Sequence, residues 1–277
     1  MLFRSGPIGL ICGGIFGKSS SLVVLLSSTA KYLKNIKNEV SFANITDLAK
    51  KFSKFPIYDL PATLFHTMGE QGIVILIIKL FSEKTAGLFS YTERILITPI
   101  SIFSSSFAQV FLQKISQKFH EDKEEFQELV SVTFNRFVWY GIIPFALFTY
   151  STKFLVPIIF GPNWVDLYKY IWILSPYIFL VLANAPLGEV LYIIGKQEKL
   201  LILKVVFLLL RFSALIIAYF MGYDPLMSIF LFSIASVLAY EIFIIIVLRT
   251  LKSMNGLTML LLNLIIIGAF VLLYKVL

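Results

Sequence analysis

Apolar residues in this chain fill whole runs rather than alternating with polar ones. Eight runs stand out, at residues 8–30, 55–81, 87–112, 130–157, 168–194, 200–221, 225–248 and 257–277. Each is about 20 residues or more, the length a helix needs to cross roughly 30 Å of hydrocarbon. In lipid such a run must be helical, because only a helix satisfies every backbone group within the segment. The period-two alternation of a membrane β-barrel strand is absent. The pattern therefore predicts an all-α, polytopic membrane protein of about eight transmembrane helices.

Composition agrees: 58% of the 277 residues are hydrophobic and 14% charged, and the mean hydropathy is +0.86. A soluble domain of this size has no core large enough for that apolar content. The formal charge of +8 does not point to nucleic acid, since the lysines sit in short gaps between apolar runs and form no continuous basic face. Membrane lipids with anionic headgroups are the expected partner. Cys12 stands in an apolar stretch, so neither a disulfide framework nor a thiolate metal site is predicted.

Charge placement sets the orientation. Lys31, Lys34, Lys37, Lys50, Lys51 and Lys54 fill the first gap. Lys114, Lys118 and Lys123 follow in the third, Lys196 and Lys199 in the fifth, Arg249 and Lys252 in the seventh. The intervening gaps offer only Lys84, Lys153 and Lys169. Cytoplasmic odd-numbered gaps and outside chain ends follow. An outside amino terminus without a signal peptide points to a natural start upstream: Lys18 splits the first apolar run and no small-x-small cleavage site follows it. Residues 31–54 read as a basic, weakly amphipathic linker on the inner leaflet. Residues 113–129, with Ile115, Phe119, Phe126 and Leu129 among charges, read as an interfacial extension of the third run.

Two runs carry polar stripes. Arg94, Thr98, Ser101, Ser105 and Gln109 are spaced 4, 3, 4 and 4, one face of a helix. Such a face avoids lipid, either by lining a polar cavity or by packing through small hydroxyl residues. An intramembrane charge such as Arg94 calls for a cavity or a buried pair. Asp59, Thr63, His66 and Glu70 repeat the design in the second run. By helix rise, Glu70 lies about 16 Å and Arg94 about 10 Å from the outer ends of their runs, so the two can meet. His66 is placed to exchange a proton with Glu70, or to serve as a hydrogen-bonded structural histidine. Lys18 and Arg211 lie nearest the midplane, roughly 16–18 Å from their cytoplasmic ends. Glu241 lies at a depth between Lys204 and Arg211 and is expected either to pair with one of them or to meet a ligand. The Gly9, Gly13 and Gly17 line ahead of Lys18 favours close helix packing.

Phosphate-loop, zinc-protease and nucleophile-elbow motifs are missing, and no metal-ligand or cofactor-binding set is found. No enzymatic role, cofactor or metal is expected.

Several stretches, taken in order, resemble the polysaccharide flippases of the multidrug/oligosaccharidyl-lipid/polysaccharide exporter superfamily, the O-antigen and capsule transporters. They are the first run with its basic loop, FPIYDLPATLF at 55–65, AGLFSYTERILITPISIFSSSFAQVFLQ at 86–113, IIFGPNWVDLYKYIWILSPY at 158–177 and APLGEVLYIIGKQEK at 185–199. Arg94, Pro99 and Gln109-Val110-Phe111 occupy the places where that family carries an arginine, a proline and a terminal Gln-Val-Phe-Phe. The resemblance implies two six-helix lobes around a central cavity. Residues 1–30 would be the last helix of the first lobe, 31–54 a linker, 55–248 the second lobe, and 257–277 an additional carboxyl-terminal helix.

The implied cargo is a polyprenyl-pyrophosphate oligosaccharide, as in lipopolysaccharide assembly, flipped across the cytoplasmic membrane by an ion gradient. Lys18, Arg94 and Arg211 would hold the pyrophosphate. Asp59, His66, Glu70, Thr98, Ser101, Gln109 and Glu241 would line the cavity or couple ions. A glycan polymerase and other assembly proteins are implied partners. Two alternatives stay open: a drug/cation antiporter of the same superfamily, which would favour acids over bases, and a membrane-embedded glycan-assembly enzyme.

Overall fold

The structure, a computed structural model, describes residues 6–36, 42–53, 55–252 and 268. The eighth predicted run, 257–277, and part of the 31–54 gap lie outside the described residues, apart from isolated positions. Of the described residues 90% are helical, and no strand is found among them. It divides into two units, Met1–Ser53 and Lys54–Leu277.

The first unit holds α1 (Gly6–Ile36) and α2 (Phe42–Lys51). A helix therefore stands where the sequence reading placed only a weakly amphipathic linker. The reason is legible in the sequence: Phe42, Ile45 and Leu48 recur every three residues, with Asn44, Thr46 and Asp47 between them. In α1, a Cβ added at Gly13, Gly14 or Gly17 would meet nothing within 4 Å.

The second unit is a helical bundle. A π-helical turn (Phe55–Asp59) leads into α3 (Leu60–Leu80), followed by α4 (Glu83–Glu121) and α5 (Lys123–Phe160). A 3-10 turn (Pro162–Trp164) precedes α6 (Leu167–Ala183), the short α7 (Val190–Ile193), α8 (Gln197–Phe220) and α9 (Pro225–Thr250). Packing runs in a closed ring, α3 to α4, α5, α6, α9, α8 and back to α3, with α4 also touching α6.

Among the described residues, five helical segments are long and apolar enough to cross a membrane: Phe55–Leu80, Glu83–Glu121, Lys123–Phe160, Gln197–Phe220 and Pro225–Thr250. The expected polytopic helical membrane fold is thus present. Outward residues such as Leu64, Ile143, Leu147, Ile158 and Leu209 are exposed, an apolar surface suited to lipid rather than water.

Helix boundaries follow local chemistry. The Ser82 hydroxyl accepts from the Thr85 N–H at 3.1 Å to start α4. Asp122 accepts from the N–H groups of Glu124 and Glu125 at 2.8 and 3.1 Å to start α5. Asp224 caps α9 ahead of Pro225. Gly161, at φ 84°, ends α5 in a backbone region that L side chains rarely adopt.

One predicted run is corrected and one predicted segment is refined. The fifth, 168–194, breaks after Ala183. Pro186 has no N–H and disfavours helix at Ala185, so the chain turns through Asn184–Gly188 before α7 resumes. Hydrogen bonds from the Leu187 and Gly188 N–H groups to the Asn184 carbonyl, at 2.9 and 3.1 Å, satisfy the turn. Irregular backbone at membrane depth is tolerable here because protein surrounds it: Leu187, Val190 and Leu191 are fully buried.

Residues 113–129 extend the third run, as expected, α4 continuing to Glu121, and the chain then folds back into α5 as a helical hairpin. α4 has 39 residues and runs about 58 Å, well beyond a bilayer core. Its end folds back at Asp122 so that Ile115 and Phe126 bury, and Phe119 meets Phe126 edge-on at 5.3 Å. Lys118 bridges Glu121 and Glu125 at 3.4 and 2.9 Å across the bend. The apolar residues satisfy one another instead of lying on lipid.

The centre of the bundle is α6, with 11 of its 17 residues buried. Its Tyr177 meets Phe232 edge-on at 6.0 Å, and Phe232 meets Phe89 at 5.4 Å. Tyr177 of this cluster lines the site, with Phe232 packed against it.

Candidate functional site

Two cavities open along the bundle and share Glu70, Val181 and Tyr240, so they form one polar groove. The larger, about 720 Å³, is lined by Glu70, Glu93, Arg94, Tyr177, Arg211 and Tyr240 among others. The smaller, about 330 Å³, is bordered by Thr63, His66, Glu70, Glu189, Tyr192 and Lys204 among others.

Arg211 is the most enclosed cation of the groove. It is 7% exposed, and its guanidinium carbon lies 4.8 Å from the Phe232 ring centroid and 5.6 Å from that of Tyr177. Aromatic faces attract a cation through their quadrupole, which offsets part of the cost of removing the guanidinium from water. Its nearest carboxylate is Glu93, with Arg211 Nη2 3.8 Å from Glu93 Oε1. That distance allows charge attraction but is too long for a hydrogen bond. The Tyr177 hydroxyl donates to the same Glu93 oxygen at 2.6 Å. Arg211 Nε is buried with no hydrogen-bond partner.

Sequence reasoning missed Glu93. The signal was present: Ala86, Phe89, Leu96 and Ile100 are the buried residues seven and four before and three and seven after it. A carboxylate on the apolar side of a membrane helix requires a partner. Arg211 meets this carboxylate and not Glu241, so the proposed pairing of Arg211 with Glu241 is corrected. Residue 93 looks from α4 toward α6 and α8 at a depth where Arg211 also stands, whereas Glu241 lines neither cavity.

Arg94, next along α4, lines the larger cavity from an exposed position. It shares that space with Glu70, as helix depth suggested. In the smaller cavity His66 Nε2 lies 3.7 Å from Glu70 Oε1, with both side chains about half exposed. Asp59 accepts a 2.5 Å hydrogen bond from the Tyr192 hydroxyl at the cavity's margin. Lys204 Nζ stands 5.9 Å from the Phe207 ring centroid. The Asn184 side-chain oxygen, at the break after α6, is buried without a partner.

The rest of the α4 stripe does not join these cavities. Thr98, Ser101, Ser105 and Gln109 are exposed on the unit and line neither one. The hydroxyls are satisfied locally, Ser101 donating to the Thr98 carbonyl at 2.9 Å and Ser105 to the Ile102 carbonyl at 3.0 Å. Lys18 belongs to the first unit and is exposed on α1. No group of three or more metal-binding side chains is found among the described residues.

A bundle of membrane-length helices, with charged and polar side chains gathered on one groove, defines a multi-pass membrane protein. The chain belongs to the family described as polysaccharide biosynthesis protein, whose model matches residues 2–169. It is 24% identical over 199 residues to the capsular polysaccharide biosynthesis protein CapF of Staphylococcus aureus. The match covers 70% of this chain and 50% of that protein, so the chain spans about half the length of the curated relative it matches. No solved structure matches the chain.

Proposed function

We propose that this chain is part of a transporter that flips a polyprenyl-pyrophosphate-linked oligosaccharide across the cytoplasmic membrane during polysaccharide biosynthesis, without covalent chemistry. The observation that carries this reading is the pair of arginines, Arg94 and Arg211, on one groove at membrane depth. Both are permanently charged, and each unpaired guanidinium at such depth costs at least about 2.5 to 3.5 kcal/mol on the insertion scale. A pyrophosphate offers adjacent anionic oxygens that match the guanidinium fork. Glycan and phosphates would travel through the groove while the polyprenyl tail stays in lipid. The exposed apolar outer surface suits such a tail.

A drug/cation antiporter would want acids in excess. The larger cavity instead holds two acids, Glu70 and Glu93, against Arg94 and Arg211, and one of the acids already faces Arg211. An anionic cargo fits that balance better. An ion gradient would supply the driving force, with His66 and Glu70, 3.7 Å apart on the groove, as the candidate proton carriers.

Glycan export in cells lacking the native gene provides the test, with variants placed in the full-length protein. Arg94→Ala is expected to abolish export at near-normal protein levels. Arg211→Ala combined with Glu93→Gln, so that no lone buried carboxylate remains, is expected to do the same. Lysine at either position should rescue only partly because it lacks the bidentate fork. Normal export from both alanine variants at wild-type protein levels would overturn the reading.

A further inference from the structure

We propose that Glu93 is a built-in counter-ion to Arg211 that an incoming phosphate displaces, and that proton uptake by Glu93 accompanies anion binding. The inference rests on the cargo reading above and adds a regulatory residue to that site.

Arg211 is held but incompletely used. Its closest carboxylate oxygen is 3.8 Å away, its Nε has no partner, and aromatic rings supply the remaining attraction. A guanidinium has five N–H donors, so this one keeps unspent capacity facing a cavity of about 720 Å³. Glu93, by contrast, has a second anchor in the Tyr177 hydroxyl at 2.6 Å. When Arg211 turns its donors toward a phosphate, Glu93 stays bonded to Tyr177. The carboxylate therefore has a resting place in both states, and the guanidinium is the group that changes partner.

Charge determines what happens next. The larger cavity carries Arg94 and Arg211 against Glu70 and Glu93, a formal sum of zero. A phosphate group entering it makes the site net negative in a region of low dielectric. The groups facing Glu93 are Glu70 from α3, Tyr177 from α6, Arg211 from α8 and Tyr240 from α9, with Arg94 beside it on α4. His66 and Lys204 lie beyond Glu70 in the adjoining cavity. Of these, Glu93 is the carboxylate that loses its cation when the anion binds. Taking up one proton on Glu93 restores the balance, and the proton can leave when the anion does. Linkage then requires that protonation of Glu93 and anion binding strengthen one another.

The test uses full-length protein in detergent, with farnesyl diphosphate as the anionic probe and farnesol as its uncharged control, titrated at pH 5.5 and 7.5. Titration of the probe itself is common to all variants, so the ratio of affinities between Glu93→Gln and wild type isolates the residue. The expected ratio is about tenfold in favour of Glu93→Gln at the higher pH, shrinking toward one at the lower. In wild-type protein, infrared difference spectra on adding the diphosphate should gain a protonated-carboxyl band, a readout that needs no variant. A ratio of one at both pH values, or no such band, with binding still lost in the Arg211→Ala/Glu93→Gln protein, overturns the counter-ion role and leaves the cargo reading standing. Binding of the diphosphate no tighter than farnesol, or unaffected by loss of Arg211, overturns both.

Discussion

The two cavities of the groove hold similar residue types under different constraints. In the larger one, Arg211, Glu93 and Tyr177 come from three helices and are pinned by the Phe89–Phe232 aromatic wall. In the smaller one, His66 and Glu70 sit four residues apart on one helix, roughly half exposed, and meet at 3.7 Å. The first arrangement is tertiary and fixed, the second local and solvated. Fixed charge suits holding a ligand against the desolvation cost of the bilayer, with any proton exchange there tied to the ligand, whereas solvated titratable groups can exchange protons with water directly. The turn after α6 borders only the smaller cavity, through Asn184, Gly188 and Glu189, so the irregular backbone and the titratable pair occupy the same end of the groove.

That contrast breaks if removing one partner from each pair has the same effect on stability. Arg211→Ala alone leaves a partly buried carboxylate without its cation and is expected to destabilise the folded protein by about 2–4 kcal/mol. Adding Glu93→Gln should recover most of that loss. His66→Ala, which breaks a solvated pair, should cost no more than about 1 kcal/mol. Chemical unfolding in detergent followed by tryptophan fluorescence measures both. Equal losses would mean that the larger cavity is as wet as the smaller.

A smaller effect sharpens the same point through the two tyrosines. Tyr177→Phe removes a buried hydroxyl that donates to Glu93 and is expected to cost about 1.5–3 kcal/mol. Tyr192→Phe removes a hydroxyl that donates to Asp59 at the margin of the groove, where water can replace it, and should cost about 1 kcal/mol or less. The same unfolding measurement on each variant compares them, and a larger loss for Tyr192→Phe would place the rigid part of the groove at the wrong end.

How much of this was legible depended on whether the signal was local. Helical class and span positions followed from run length, because lipid leaves a long apolar segment no alternative to helix. The proximity of His66 and Glu70 followed from helical spacing, and the shared cavity of Glu70 and Arg94 from depth. The partner of Arg211 did not follow, because depth alone left Glu241 and Glu93 both in range and only packing against α6 and α8 separates them. The break at Asn184 was hidden by hydropathy, which stays high through Pro186. The hairpin at Asp122 was hidden because an apolar stripe reads alike whether it meets lipid or a second helix. α2 was passed over because its lysines suggested a linker more strongly than its three-residue spacing suggested a helix.

The smallest expected effect concerns the α4 stripe beyond Arg94. Ser101 and Ser105 give their hydroxyl protons to their own helix and are exposed on the unit, as is Gln109. Nothing in the second unit is lost when these side chains shorten, so Ser101→Ala, Ser105→Ala and Gln109→Ala should each change stability by less than about 0.5 kcal/mol. Their neighbour Arg94 lies about two to four turns away on the same face, and of these four only it lines the larger cavity. If the stripe serves merely to keep that face polar, the triple alanine variant exports glycan near the wild-type rate while Arg94→Ala does not. A strong export defect in the triple variant, with unfolding unchanged, would instead extend the ligand path along α4 past Pro99, and the fixed region of the groove would be longer than the cavity that now defines it.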